Sequence, residues 1–95
     1  MEKKRIYISG PISNNPDYKK QFTRKFRELE EKYIVLTPLF INAELDWKSY
    51  MKIDLVMIDV CDVVYMMKGW KESRGAKIEE LYAQYKNKEI IYEEV

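Results

Sequence analysis

The sequence of 95 residues predicts an α/β fold, a minimal doubly wound parallel sheet with about four strands in the order 2-1-3-4 and three helices. Short β-prone runs alternate with longer segments whose apolar residues recur at helical spacing. Right-handed crossovers then place helices on both faces of a parallel sheet, and the strand order follows by analogy with flavodoxin-like sheets. Because this length suits one compact domain, we expect residues 1–95 to form a single domain.

The first strand is predicted over Arg5–Ser9 (RIYIS) and ends at the Gly10-Pro11 pair. A helix follows, with Asn15 as its predicted N-cap and Pro16 as its first residue, an arrangement that proline favours. The helix carries one apolar stripe, formed by Tyr18, Phe22, Phe26 and Leu29.

The second strand is predicted over Tyr33–Thr37, ended by Pro38, and the connection Leu39–Ala43 stays unassigned. A second helix is predicted over Asp46–Val60, and it is apolar on two faces. The first face holds Trp47, Met51, Leu55 and Ile58, and the second holds Ile53, Val56, Met57 and Val60. One face can cover the sheet, whereas the other needs a partner. A second copy of the chain is the simplest one, so we expect a homodimer or a higher homo-oligomer.

The third strand, Asp62–Met67, is apolar throughout Val63–Met67, as expected for a central parallel strand. A loop with Gly69, Ser73 and Gly75 leads to a third helix that starts at Arg74. Its helical spacing is carried by Ile78, Leu81, Tyr82 and Tyr85, and Glu89–Tyr92 (EIIY) is the fourth strand.

The predicted strand order brings two loops, Gly10–Pro16 and Lys68–Arg74, to one crevice at the carboxyl ends of strands one and three. The third helix begins there and offers free backbone N–H groups to an anion. Glu79 lies in the second turn of that helix, with Ala76 and Ala83 on the same face. Spacing alone leaves open whether Glu79 is a site residue or an ordinary surface glutamate.

Other polar side chains are predicted near this crevice. Tyr7, Ser9, Gly10 and Ile12 belong to one side, Ser73, Gly75 and Glu79 to the other, and Asp54 and Asp62 are nearby candidates. Asp54 lies on the core-facing stripe of the second helix, where a carboxylate must be paired, hydrogen-bonded or neutral. It is therefore either a buried structural aspartate or part of the site. Two or more carboxylates around a small-molecule pocket suit glycosidic chemistry.

Composition excludes several other functions. The sequence has no histidine, which removes histidine metal sites and histidine bases, and it has one cysteine, which forbids an internal disulfide. A net charge of +1 indicates no nucleic-acid polymer and no anionic membrane as partner. There is no apolar signal segment and no membrane-spanning run, so we expect a cytoplasmic protein. We expect no metal and no cofactor.

Three other uses of the same sheet fit poorly. A response-regulator receiver needs acidic residues after strand one, where this chain has Ser9-Gly10. A flavodoxin needs a hydroxyl-rich phosphate loop, and GPISNNP offers only Ser13. The fingerprints of dinucleotide-binding and Walker loops are absent.

Three segments together carry a resemblance to a known family: IYISGPIS, WKSYMKIDLVMIDVCDVVYMMKGW and SRGAKIEELYA. With the spacing D-x7-D-x10-S-x-G-x3-E, they resemble the nucleoside 2-deoxyribosyltransferase-like superfamily over nearly the whole chain. The chain is most similar to a small branch, DUF4406-like, that phages and prophages often encode.

The resemblance implies roles for individual residues. Glu79 matches the glutamate that attacks the sugar C1′ or stabilises the oxocarbenium ion there. Asp54 matches the aspartate that interacts with the base and its departing nitrogen. Tyr7 matches a tyrosine that hydrogen-bonds near the nucleophile. Gly10 matches a glycine that lets the ligand approach the first loop. Asp62 fits a pattern that we interpret as more structural than catalytic. Trp70 and the lysines around it are not general family features, and the chain lacks the C-terminal extension of the characterised enzymes.

The resemblance implies an N-glycosidase or deoxyribosyl transferase acting on nucleosides or nucleoside 5′-monophosphates. A protein that binds a nucleotide or a nucleotide-derived signal without cleaving it is the alternative, and a small structural protein without a ligand is a third. Within the superfamily, enzymes for 5′-monophosphates carry a serine six residues before the nucleophile, where enzymes for plain nucleosides carry an aspartate. Ser73 stands at this position, so we expect a preference for monophosphates, unless Ser73 only caps its helix.

Overall fold

The computed structural model describes residues 2–41 and 44–93. Four strands and three α-helices alternate along the chain, as the sequence predicts. Their bounds are β1 Arg5–Ser9, α1 Tyr18–Leu29, β2 Ile34–Leu36, α2 Trp47–Asp59, β3 Val63–Met66, α3 Arg74–Tyr85 and β4 Glu89–Tyr92. Two short 3₁₀ helices, Pro38–Phe40 and Trp70–Glu72, lie in the connections.

The four strands form one parallel sheet in the order β2-β1-β3-β4, which confirms the predicted order. In the register of the two central strands, Ile6 lies beside Val63 and Ser9 beside Met66. The chain crosses over between β1 and β3, so the loops that follow these strands diverge and leave a crevice between them.

Alternation along β1 divides the core into two layers. Ile6 and Ile8 face α1 and pack with Phe22, whereas Tyr7 faces α2 and α3 and belongs to the cluster that holds Ile58. Because side chains alternate along a strand, Ser9 points to the same side as Tyr7. This alternation aims two hydroxyl groups at the side of the sheet that α3 covers.

The predicted start of the first helix is wrong. Asn15 lies in a turn, where its side-chain oxygen accepts a hydrogen bond from the N–H of Asp17 at 3.3 Å and its amide donates to the carbonyl of Pro11 at 2.8 Å. Asp17 is the N-cap residue, and the helix begins at Tyr18. Asparagine builds such side-chain turns as readily as it caps helices, so the Asn-Pro pair misled the prediction.

The other two helices have side-chain caps at their predicted starts. The Asp46 carboxylate accepts from the Ser49 N–H at 2.7 Å, and the Ser73 hydroxyl accepts from the Ala76 N–H at 3.2 Å. The sequence pattern leaves the connection Leu39–Ala43 unassigned. Leu39 and Phe40 belong to the first 3₁₀ helix, and residues 42 and 43 of this connection lie outside the described part of the chain.

The second apolar face of α2 is partly open to solvent. Ile53, Val56 and Val60 are 40%, 60% and 46% exposed, while Met57 packs against the core. In the described ranges, no helix combines the length and the apolar character needed to span a bilayer.

Candidate active site

Glu79 is held by two hydroxyl groups from β1. The Ser9 hydroxyl donates to Glu79 Oε1 at 2.6 Å, and the Tyr7 hydroxyl donates to Glu79 Oε2 at 3.2 Å. Tyr7 and Ser9 are completely buried, and Glu79 is 4% exposed. The glutamate is thus no ordinary surface residue: the sheet below fixes the position of its carboxyl group.

Asp54 approaches the same carboxyl group from α2. It is 5% exposed, and it lies close enough for its charge to add to burial in raising the pKa of both Glu79 and Tyr7. Its Oδ1 atom is buried and has no hydrogen-bond partner within the described residues. A buried polar atom left without a partner costs free energy, so this oxygen indicates a place where a ligand group can bind.

The two carboxyl groups perturb each other. Burial raises the pKa of Glu79 well above its usual value, and the neighbouring Asp54 charge raises it further, while the Ser9 and Tyr7 hydrogen bonds act in the opposite direction. Burial also raises the pKa of Asp54. Two neighbouring carboxylates out of water do not both ionise readily, so the pair retains one proton to a higher pH than a lone exposed carboxyl would.

A cleft of about 940 Å³ opens above this pair, and both Asp54 and Glu79 line it. The β1–α1 loop and α1 form one wall, with Gly10, Ile12 and Lys19 among its residues. The start of α2 and the start of α3 form the other walls, with Trp47 on α2 and Ser73 and Arg74 on α3. Tyr7 and Ser9 do not line the cleft, and they act on it only through Glu79.

Both glycines of the site serve packing within the protein. A Cβ atom at Gly10 would lie 3.0 Å from Met67 Cβ and 3.4 Å from the ring of Phe22, so packing alone disfavours a side chain here. Gly10 also lines the cleft, and its role in the approach of a ligand stays a prediction. A Cβ atom at Gly75 would lie 3.3 Å from Met51 Sδ. Gly75 therefore lets α3 approach α2, which brings Glu79 and Asp54 together.

Asp62 lies away from this site. It stands at the amino end of β3, where its carboxylate accepts from the Arg5 N–H at 3.0 Å. The cleft is at the carboxyl ends of the strands. Asp62 thus binds the backbone of β1, as its more structural interpretation suggested. It does not line the cleft with the other predicted site residues.

Sequence reasoning placed Arg74 as a positive charge beside Ser73, but it missed the contact of Arg74 with Trp47 and the position of Lys19. Arg74 lies with its guanidinium carbon 4.4 Å from the centre of the Trp47 ring, and Lys19 lines the opposite wall. The helical stripe assigned Trp47 to the core, and no signal in the sequence pairs it with Arg74. Among the residues that the structure describes, no group of three or more potential metal ligands occurs.

Comparisons with known proteins identify the family and support the fold. The sequence model of one family, described as "Domain of unknown function (DUF4406)", matches residues 4–92. A search of the curated proteins found no match. Among solved structures, the fold is similar to the 2-desoxiribosyltransferase from Leishmania mexicana, with a TM-score of 0.73 and 23% identity over 94% of this chain. The alignment spans 63% of the length of that enzyme.

Proposed function

The chain belongs to the DUF4406 family, and on this premise we propose that it cleaves the N-glycosidic bond of a nucleoside 5′-monophosphate or a nucleoside. The reaction is either hydrolysis or transfer of the deoxyribosyl group to a second base. The observation that carries this proposal is the buried pair of carboxyl groups, Glu79 and Asp54, at the floor of the cleft. The likeness of the fold to a deoxyribosyltransferase supports it.

In the first step, a Glu79 oxygen forms a bond to C1′ while the bond from C1′ to the base nitrogen breaks. The electron pair of the broken bond goes to the base, which takes a proton from Asp54. In the second step, water attacks C1′, gives its proton back to Asp54 and releases Glu79. A second base replaces this water in the transfer reaction, and both routes use only groups of the chain and the reactants.

The reaction needs Glu79 as a carboxylate and Asp54 as an acid, and a pair that holds one proton can adopt this form. Without a ligand, burial and the Asp54 charge raise the pKa of Glu79, so the reaction requires this proton to pass to Asp54 when the substrate binds. Glu79 accepts hydrogen bonds from Ser9 and Tyr7, which favour its ionised state. Asp54 keeps Oδ1 free within the described chain, and this atom can meet the departing base.

Ser73 supports a 5′-monophosphate as substrate. It lies at the N-terminus of α3, lines the cleft and stands six residues before Glu79. Its hydroxyl oxygen accepts from the Ala76 N–H, so its own hydrogen remains available to a phosphate oxygen. An α-helix rises about 1.5 Å per residue, which puts Ser73 about 9 Å from Glu79 along the axis. A sugar with its 5′-phosphate can bridge this separation.

Incubation with a mixed pool of nucleosides and 5′-nucleotides, followed by chromatography, tests the proposal. We expect release of a free base from at least one of them. Glu80→Gln is the matched control, because Glu80 is the next residue of α3 and is also buried, but bonds to Tyr92 and Gln84. A rise in melting temperature with a nucleotide, without any base release, would contradict the enzyme and favour the alternative of a nucleotide-binding protein.

A further inference from the structure

Arg74 is a cation at the cleft, and it has no carboxylate partner among the residues that the structure describes. Its guanidinium group lies over the Trp47 ring at 4.4 Å, and within residues 2–41 and 44–93 no ion pair engages it. The other charged side chains that line the cleft walls are Lys19, Glu44 and Glu72. An unpaired guanidinium that lines a cleft can bind an anionic group of a ligand.

Trp47 holds Arg74 in this position. It is the first residue of α2 and is 36% exposed. The indole lies beside the first turn of α3, where its Nε1 is 3.8 Å from the point that a Cβ at residue 75 would occupy. The ring face then attracts the guanidinium and limits the conformations that Arg74 adopts.

The position of Arg74 relative to the reacting groups is fixed by α3. Arg74 stands five residues before Glu79, which corresponds to about 7.5 Å along the helix axis. The floor of the same cleft holds Asp54 Oδ1, a buried oxygen without a partner in the described chain, which independently points to a ligand there. Arg74 lines the same cleft as this floor, so it can meet a substituent of a ligand whose sugar lies there.

We propose that Arg74, positioned by Trp47, selects substrates that carry an anionic substituent on the sugar. The inference rests on the proposed function, since it takes the ligand to be a nucleoside or its phosphate ester. Ser73 offers a single neutral hydroxyl, whereas Arg74 offers a full charge and several donors. Discrimination between ester and nucleoside therefore depends mainly on the arginine.

Calorimetric titration with the four 2′-deoxynucleosides and their 5′-monophosphates tests this selection. The titrations use Glu79→Gln as background, so that the ligand is not consumed. We expect Arg74→Met, which keeps an apolar side chain against Trp47, to weaken binding of the monophosphate about tenfold, the effect of one charge-assisted hydrogen bond. Binding of the matching nucleoside should change less than twofold.

Two further variants separate positioning from structure. Trp47→Leu should lower the preference for the monophosphate severalfold, and adding it to Arg74→Met should lower it no further, because Trp47 acts through Arg74. Lys71→Met is the matched control: its ammonium lies over the ring of Trp70 at 5.8 Å, a similar pair outside the cleft, and its loss should leave the preference intact.

Several results would overturn the inference. A monophosphate that binds no better than its nucleoside when Arg74 is present is one. A preference that survives Arg74→Met, or that Lys19→Met removes instead, is another. Base release by the wild-type chain is measured separately. The ratio of the two dissociation constants can therefore be determined even if no base is released, and base release can be detected even if the ratio shows no preference.

Discussion

Replacing Glu79 by glutamine should make the protein more stable at pH 8 while it removes the proposed nucleophile. Glu79 is 4% exposed and shares its surroundings with the Asp54 carboxyl group. Its pKa in the folded protein is raised well above the usual value, chiefly by burial and then by the Asp54 charge. The folded state therefore binds a proton that the unfolded chain releases, and stability falls as the pH rises from the usual carboxyl pKa through the raised one.

The size of the effect follows from this shift. Each unit by which folding raises the pKa costs about 1.4 kcal/mol of the free energy of unfolding above the raised value. Because burial and the Asp54 charge both raise the pKa of Glu79, the wild-type protein should lose stability between pH 5 and pH 8. Glutamine carries no charge, yet its oxygen can still accept from Ser9 and its amide can donate to Asp54. The gain should be smaller at pH 5 than at pH 8, because the raised pKa of Glu79 leaves less of its charge to remove at the lower pH.

Urea unfolding of wild type and Glu79→Gln at pH 5, 6.5 and 8, at one protein concentration, measures this difference. The wild-type free energy of unfolding should fall across the series, and that of the variant should fall less, since Asp54 then titrates without an acidic neighbour. Glu80→Gln should retain the wild-type slope. Equal slopes for wild type and Glu79→Gln would refute the account of the carboxyl pair.

Three further outcomes are expected. Ser73→Asp should reduce the preference for a 5′-monophosphate over its nucleoside by an order of magnitude, because the new carboxylate repels the phosphate; an unchanged ratio of dissociation constants in calorimetry would leave Ser73 as a helix cap only. Val56→Asp should weaken the homodimer that the open face of α2 predicts, whereas Lys52→Asp should not; wild-type monomers in light scattering at tens of micromolar would contradict the dimer. Gly10→Ala should cost about 1–3 kcal/mol in urea unfolding, since its Cβ would crowd Met67; unchanged stability would show that this contact relaxes freely.

Most of the fold could be predicted because local patterns and global topology agree. The alternation of strands and helices, the parallel order and the starts of α2 and α3 all depend on nearby residues and general packing rules. The start of α1 could not be predicted, because the Asn15 side-chain amide donates hydrogen bonds to the Pro11 carbonyl and to the Gln21 side chain. Pro11 precedes Asn15 in the chain, and Gln21 follows it. Such contacts compete with helix capping in a way that a sequence pattern does not reveal.

The site was predictable to a different degree. Tyr7 and Ser9 alternate with buried residues on β1, and their common direction follows from the period of a strand. Their hydrogen bonds to Glu79 required the helix to lie at the right height above the sheet, which the spacing of α3 alone does not determine. The pairing of Arg74 with Trp47, and the packing role of Gly10, depend on contacts between elements distant in sequence and could be found only in three dimensions.

The central claim is that a Glu79 oxygen forms a bond to C1′ while Asp54 gives a proton to the departing base. The most direct measurement compares base release by wild type, Glu79→Ala and Glu80→Gln on the nucleoside or nucleotide that the wild-type protein cleaves fastest. Glu79→Ala should release no base while its circular dichroism spectrum stays that of the wild type, and Glu80→Gln should keep most of the wild-type rate. Base release by Glu79→Ala at the wild-type rate, or none by the wild type from any member of the pool, would contradict the account.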